Sequence, residues 1–588
     1  MPRFARRATA AAVLAVTAAA IPAAAATAAR PARGPLVTVL VSGTDAHALP
    51  SVERAVRSAG GHVRSELKVI DGVSASVPSG SLAALRSAPG VRAVTADAHG
   101  HLLGVDSTLG YDVANDEGSL YDVAQITHAK DAWGAGWTGK GVDVALIDSG
   151  VSPVKGLTSG NVINGPDLSF ESQDPDLAHV DTFGHGTHMA SIIAGRDQAA
   201  SGGTYANQGS HLFVGLAPDS RLVSIKVASS DGGADVSQVI AAIDWVTQNA
   251  KSGGLNIKVL NLSYGTDSTQ DASVDPLDYA VENAWRAGIT VVVSGGNDGS
   301  SRTALADPAN DPLVLAVGAD DPRNTDSVGD DQVPSFSQHG TASRGVDVIA
   351  PGVHILGLRD PGSFLDQRNS SAVVNNRFFR GSGTSQAAAV VSGLVALYAQ
   401  KYPNATPDQI KYALMHSASA PSSVKSVYAG LGVPDINKAI GAKLPVASQT
   451  PTGATGTGSL EAARGSSHVT DGTSVLTGEQ DIFGQAWNPT GWSTASATGS
   501  AWSGGSWNGS QWTGSAWTGS SWTGSTWSGS QWTGSSWSGS QWSGHQWSGH
   551  QWTADGWDGH AWTDSQWDGS SWSGSTWSGS TWSSSTWS

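Results

Sequence analysis

Between about residues 132 and 444, short apolar runs alternate with helical stripes, and this alternation limits the fold more than any other feature of the chain. The runs at 142–147, 222–227, 259–262, 290–293 and 314–317 are dominated by Val, Ile and Leu. A strand with one wet face alternates apolar and polar residues, whereas a largely apolar strand is buried on both faces, as in a parallel sheet covered by helices. Between the runs, Val236, Val239, Ile240, Ile243 and Val246 fall on one helical stripe, and residues 275–286 read as a second helix. The expected fold class is α/β: a doubly wound, mostly parallel sheet flanked by helices.

This region is only part of the chain. Hydrophobic residues make up 39% of the 588, low for a globular protein, and 20 of the 24 Trp lie at or beyond Trp487, so low-complexity sequence at one end dilutes a folded body. Residues 1–29 read as an export signal: Arg3, Arg6 and Arg7 precede a small apolar stretch, and Ala-rich sequence offers cleavage sites. Residues 35–100 follow the order β-α-β-α-β, with an extra strand near 62–67, and suit a small α+β ferredoxin-like unit. The first 100 residues carry 11 Lys/Arg against 5 Asp/Glu, a balance of +6, which leaves −22 for the remainder of a chain of net charge −16. So acidic a body disfavours sequence-independent nucleic-acid binding. Beyond the first segment no apolar run is long enough to span a membrane. With no cysteine, thiolate metal sites, disulfides and a cysteine nucleophile are excluded.

Residues 445–500 are rich in Gly, Ser and Thr and are expected to be a linker. In the tail, residues 501–588, a Trp recurs every five residues, usually as W-[ST]-G-S-x. That spacing fits neither a strand nor a helix face. The tail is then either a β-solenoid-like array or a flexible chain displaying indoles. Exposed indoles would suit contact with polysaccharide or the cell wall; a plain spacer is the alternative.

Four polar clusters stand at the ends of expected strands or helices, where open α/β sheets build their sites. The 142–147 run ends in Asp148-Ser149-Gly150, which fixes a carboxylate between a buried strand and a tight turn. His185, in Asp181-Thr-Phe-Gly-His185-Gly-Thr-His188, sits at a helix start with Gly186 leaving room for another chain to approach, an arrangement for a general base. Residues 381–385, Gly-Ser-Gly-Thr-Ser, place Ser385 at the head of an apolar helix, where N–H groups could meet an oxyanion. Asn297 ends the sequence VVVSGGN and offers a side-chain donor. Taken singly, an Asp turn, a Ser cap and an Asn turn explain these residues equally well.

Their order makes the difference. Asp148, His185 and Ser385 reproduce the Asp…His…Ser succession of subtilisin. The chain resembles the subtilisin-like serine peptidases in ALIDSGV around Asp148, FGHGTHMASIIAG around His185, VVVSGGNDG around Asn297 and GSGTSQAAAVVSG around Ser385. Further matches are GLAPDSRLVSIKV from Gly215, VLNLSYG from Val259 and DVIAPG from Asp347. The resemblance implies a catalytic domain over 118–444 and an inhibitory propeptide over 35–100. It makes Ser385 the nucleophile, His185 the general base and Asp148 its orienting carboxylate. Asn297 would form the oxyanion hole, Ser263-Tyr264-Gly265 would pair with the substrate backbone, and Ser294-Gly295-Gly296 would line an open specificity pocket. The family's M-A-[ST]-P after the nucleophile is absent; Gln386-Ala-Ala-Ala389 stands there. His188 is expected to be structural.

The implied function is a secreted serine endopeptidase acting on polypeptides, made as a zymogen that cleaves itself within 99–119 and is held silent by its own propeptide. No cofactor is required for that chemistry, no metal ligand is assigned, and a structural calcium ion is left open because no loop carries a readable ligand set. The competing reading is a secreted adhesion or carbohydrate-binding protein with a vestigial peptidase domain.

Overall fold

The computed structural model describes residues 34–96 and 109–512, apart from positions 46, 117, 173, 202–204, 207–211, 300–301, 303, 423, 425 and 470–474, together with 541–542 and 545–546. The export signal expected at 1–29, and nearly all of the tail beyond 512, lie outside the described residues. The chain divides into two compact units, residues 1–102 and 103–588.

In the first unit, β1 (Leu36–Gly43), α1 (Leu49–Ser58), β2 (His62–Leu67), β3 (Gly72–Pro78), α2 (Leu82–Arg86) and β4 (Val91–Ala96) form an antiparallel sheet of order β2-β3-β1-β4. This is the expected ferredoxin-like arrangement, including the extra strand. Val52 and Val56 on α1 pack with Val39, Val41, Val73, Ala75 and Val77. Strand β3 starts at Gly72, where a Cβ would lie 2.0 Å from the Val41 carbonyl oxygen.

The second unit opens with α3 (Leu120–Ile126) and α4 (Ala129–Gly134). It then alternates β5 (Asp143–Asp148), β6 (Val162–Asp167), α5 (His185–Ala194), β7 (Arg221–Lys226), α6 (Val236–Asn249), β8 (Ile257–Leu262), α7 (Pro276–Arg286), β9 (Thr290–Ser294), β10 (Leu315–Asp320) and β11 (Val348–Pro351). The seven strands form one parallel sheet of order β11-β10-β9-β8-β5-β7-β6. Strands β5, β9, β10 and β11 are buried at every position, which is why their interior residues are apolar in succession rather than alternating. Along β5, Ala145 and Ile147 face the core beneath α6 and α7, while Val144 and Leu146 face the core shared with α5.

A small antiparallel sheet of β12 (Ile355–Leu358), β13 (Val373–Val374) and β14 (Phe378–Gly381), with α8 (Phe364–Arg368) between its strands, leads into α9 (Thr384–Lys401). Helix α9 is buried from Thr384 to Ala399, a helix apolar on all sides because both sheet and neighbouring helices enclose it. Helices α10 (Pro407–Ser417), α11 (Ser426–Ala429) and α12 (Ile436–Gly441) follow. No helix among the described residues is long and apolar enough to cross a membrane.

The expected linker at 445–500 is corrected by the structure. Helices α13 (Leu460–Arg464) and α14 (Pro489–Ala497) lie in this stretch, and Leu460, Ala463, Val469, Leu476, Ile482, Phe483, Trp487 and Trp492 join the core beneath α6 and α7. The first tail repeats continue the packing. Strands β15 (Trp502–Ser503), β16 (Ser506–Trp507) and β17 (Ser510–Gln511) form a short antiparallel ladder. Its turns are Gly504-Gly505 and Asn508-Gly509, all with positive φ, the hairpin conformation that matches strand twist. Trp502, Trp507 and Trp512 are buried, so these three indoles are not the displayed rings expected for sugar stacking. The Asp244 carboxylate on α6 accepts hydrogen bonds from Trp492 Nε1 and Trp507 Nε1, both at 2.8 Å, and from Ser496 Oγ at 2.6 Å. Gly and Ser richness suggested a linker here; a few large aromatics spaced along it provide enough apolar area to order it.

Candidate active site

Strand β5 ends at Asp148 and helix α5 begins at His185, and the sheet brings the two together. His185 Nδ1 lies 2.8 Å from Asp148 Oδ1 and 3.0 Å from Oδ2, with both side chains buried. Burial pushes the Asp148 carboxyl pKa up, opposed by the His185 charge and hydrogen bond and by the Ser149 amide. Asp148 Oδ1 accepts from that amide at 2.8 Å. Gly186 permits the approach, because a Cβ there would lie 2.1 Å from the Gly150 carbonyl oxygen.

Asp181 clamps this junction and had no assigned role in the sequence. Its carboxylate accepts from Ser149 Oγ at 2.7 Å, Gly184 N at 2.6 Å and Thr187 N at 2.7 Å, fixing the first turn of α5 against the end of β5. The only sequence signal was its place four residues before His185. His188 is fully buried, with Nε2 3.0 Å from the Phe379 carbonyl oxygen. Burial lowers its pKa to about 4, so it is neutral near pH 7 and structural in character.

Ser385 is the second residue of α9, buried at the helix head. Helices α5 and α9 pack against each other, so His185 and Ser385 occupy the starts of neighbouring helices. Thr384 joins the loop after β9 to this turn. Its backbone N–H and its hydroxyl donate to Asn297 Oδ1 at 2.9 and 3.0 Å, and its Oγ1 accepts from Gly296 N at 3.2 Å. The Asn297 side-chain carbonyl is thereby held against the turn that carries Ser385. Thr384 is a second positioning residue that the sequence concealed, since a Thr before Ser reads simply as a cap.

Ser263 Oγ donates to the Ser385 carbonyl oxygen at 3.3 Å and accepts from Asn261 Nδ2 at 3.0 Å. Tyr264 has its ring in the core, and burial with the Asp235 and Asp307 charges pushes its phenol well above its usual pKa. Only the backbone of Tyr264 is therefore left for a substrate. Gly265 packs on Ala306, 2.7 Å from a Cβ built on the glycine. Ser294 ends β9, and Gly295 N donates to the Val317 carbonyl oxygen at 2.8 Å. At Gly296, with φ +110, a Cβ would lie 2.0 Å from Gln338 Oε1, so the Gln338 side chain fills the space beside this glycine.

Among the described residues, one group of acids lies close enough to hold a cation: Asp275, Asp278 and Asp307, with ligand oxygens within 4.8 Å of one another. Asp275 is already engaged as the cap of α7, accepting from Leu277 N at 2.8 Å. Asp278 and Asp307 are fully buried, and burial followed by repulsion from neighbouring carboxylates pushes both pKa values well up. Both shifts favour the protonated form, which would let one carboxyl share a proton with the other. Asp307 is therefore no free anion for basic substrates, while Asp298 is exposed. A carboxyl whose folded pKa exceeds its unfolded value of about 4 contributes fully below that pH, and its contribution is lost as pH rises toward the folded value. Asp278→Asn is thus expected to leave stability unchanged near pH 4 and to gain on the parent as pH rises toward 9. Urea unfolding midpoints across that range check it; equal midpoints at both ends exclude the shared proton.

The model of the Subtilase family matches residues 139–458, and that of a peptidase inhibitor domain matches residues 11–97. The chain is 37% identical to the serine protease AprX of Bacillus subtilis over half of this chain and 65% of that protein. It is 34% identical to a thermophilic serine proteinase of a Bacillus species, over 48% of this chain and 57% of that one. The chain thus spans about three fifths of the length of these relatives. Against subtilisin BL of Lederbergia lenta it is 32% identical over 52% of this chain and 93% of that one.

Proposed function

Because the chain belongs to the subtilase family, we propose that it is a serine endopeptidase hydrolysing peptide bonds through Asp148, His185 and Ser385. The buried His185–Asp148 pair, 2.8 Å apart, carries this reading, since a carboxylate on Nδ1 fixes the tautomer that leaves Nε2 to accept a proton. A peptide lies along Ser263-Tyr264-Gly265 as an added strand, recognised by main-chain hydrogen bonds. Ser385 Oγ attacks the scissile carbonyl and passes its proton to His185 Nε2. The oxyanion is met by the Asn297 amide and the N–H groups at the head of α9, where the helix dipole favours negative charge. His185 then protonates the leaving amine, and water repeats the sequence on the acyl-enzyme.

The first unit, which matches a peptidase inhibitor domain, acts as the propeptide in this reading, with self-cleavage within 99–119. Pro-segment removal is an established kind of switch. Export through residues 1–29 fits the name of a Thermus relative, an extracellular serine proteinase 32% identical over 72% of that protein. A fluorophosphonate probe on the processed protein, followed by peptide-library cleavage, tests the activity. Labelling at Ser385 is expected; an adhesion protein with a vestigial domain would not react.

A further inference from the structure

Subtilisin BL is matched over 93% of its length by about half of this chain, and the family match ends at residue 458. Beyond residue 458, residues 459–469 and 475–512 are folded onto the body. Residues 459–466 run along 266–270, the segment that continues directly from Ser263-Tyr264-Gly265. Thr266 Oγ1 donates to the Ala463 carbonyl oxygen at 2.7 Å. Ser466 N and Oγ both donate to the Asp267 carboxylate at 2.5 Å. Gln270 Oε1 accepts from Ser459 N at 2.8 Å. On its other side, Thr266 exchanges backbone hydrogen bonds with Asp307 at 2.9 and 3.0 Å. The substrate strand is therefore followed by a segment held from two sides, one of them supplied by the appended chain.

At the centre of this contact stands Arg464, whose side chain is 0% exposed. Its five N–H groups are matched by five hydrogen bonds. Nε donates to Asp235 Oδ2 at 2.6 Å and Nη2 to Asp235 Oδ1 at 3.3 Å and the Gln480 carbonyl oxygen at 2.5 Å. Nη1 donates to Glu461 Oε2 at 3.1 Å and the Gly478 carbonyl oxygen at 2.7 Å. Asp235 is itself the cap of α6, in a capping box with Gln238. The Tyr264 phenol lies close enough to Asp235 and to Arg464 to feel both charges. A planar fork that bonds a carboxylate and three further oxygens in fixed directions sets geometry as well as charge.

We infer that Arg464 is a positioning residue for substrate binding, locking the appended segment, the start of α6 and the strand Ser263-Tyr264-Gly265 into one arrangement. It touches neither substrate nor the reacting atoms. Its effect belongs to the capture of extended peptides and spares the reactivity of Ser385. This inference rests on the peptidase reading above.

The test uses the full chain and three variants. In Arg464→Met the fork is lost; in Arg464→Lys the charge stays but the bidentate geometry goes; in Thr266→Val only the bond to Ala463 is removed. Fluorophosphonate labelling rate reads Ser385 reactivity, and kcat and KM are measured on peptides of two and six residues. Expected for Arg464→Lys is a KM for the six-residue peptide raised about tenfold with kcat nearly unchanged, and labelling within about twofold of the parent. Thr266→Val should shift KM in the same direction by less. Should Arg464→Met fail to fold, the other two variants carry the result. Unchanged KM in both of them overturns the inference, as does a labelling rate that falls in step with kcat/KM, which would place the damage in the catalytic residues. An unreactive parent chain refutes the peptidase reading, and with it this one.

Discussion

Replacing Ser385 by Ala is expected to lower peptide hydrolysis about 10⁶-fold, the loss that subtilisin itself shows when its serine or its histidine is removed. The hydroxyl is the atom that forms the acyl bond, and nothing beside it can substitute, for Thr384 is engaged by Asn297 and Gly296. Stability should hardly change, because the substitution deletes one hydroxyl at a helix head where the neighbouring backbone stays in place. The same variant should remain unprocessed in a protease-free host, as the cut within 99–119 would need the same hydroxyl. Mass spectrometry of the purified chain reads this directly. Mature-size Ser385→Ala protein would assign processing to another enzyme, and residual turnover above about 10⁻³ of the parent would remove Ser385 from the nucleophile's role.

The second large effect concerns stability. A chain ending at residue 458, where the family match stops, is expected to lose cooperative folding, whereas one ending at Trp512 should keep it. Trp487, Trp492, Trp502, Trp507 and Trp512 are all buried in the core beneath α6 and α7. Removing them returns to water the apolar surface of α6 and α7 against which they pack. Truncation also strips the partners of two buried carboxylates, Asp244 and Asp235. In the full chain positions 236–244 of α6 are all buried, although the outward surface of a flanking helix is ordinarily wet. Thermal melts followed by near-ultraviolet dichroism check the expectation. A 458-residue chain melting within a few degrees of the parent would show the segment to be an ornament.

Much of the candidate site was legible in the sequence because its residues lie at the ends of elements whose sequences are self-evident. Asp148 follows a run that only a buried strand tolerates, and His185 and Ser385 open helices behind glycines. What escaped were residues whose work depends on distant partners. Asp181 reads as a loop acid until Ser149, Gly184 and Thr187 converge on it. Nothing local to Asp307 tells that Asp278 faces it in the interior.

The C-terminal quarter shows the division most sharply. Composition identified its repeats and their five-residue period, since those are local properties of the chain. Whether an indole spaced in that way faces water or a core is decided elsewhere, by the apolar outer side of α6 and by a carboxylate at Asp244 placed to receive two indole N–H groups. Local pattern determined which residues could do chemistry and which segments form strands and helices, because propensity and periodicity act over a few neighbours. Tertiary structure alone decided that residues 459–469 and 475–512 belong to the body and that Arg464 pairs with Asp235 at the start of α6, because burial and ion pairing join positions more than 200 residues apart.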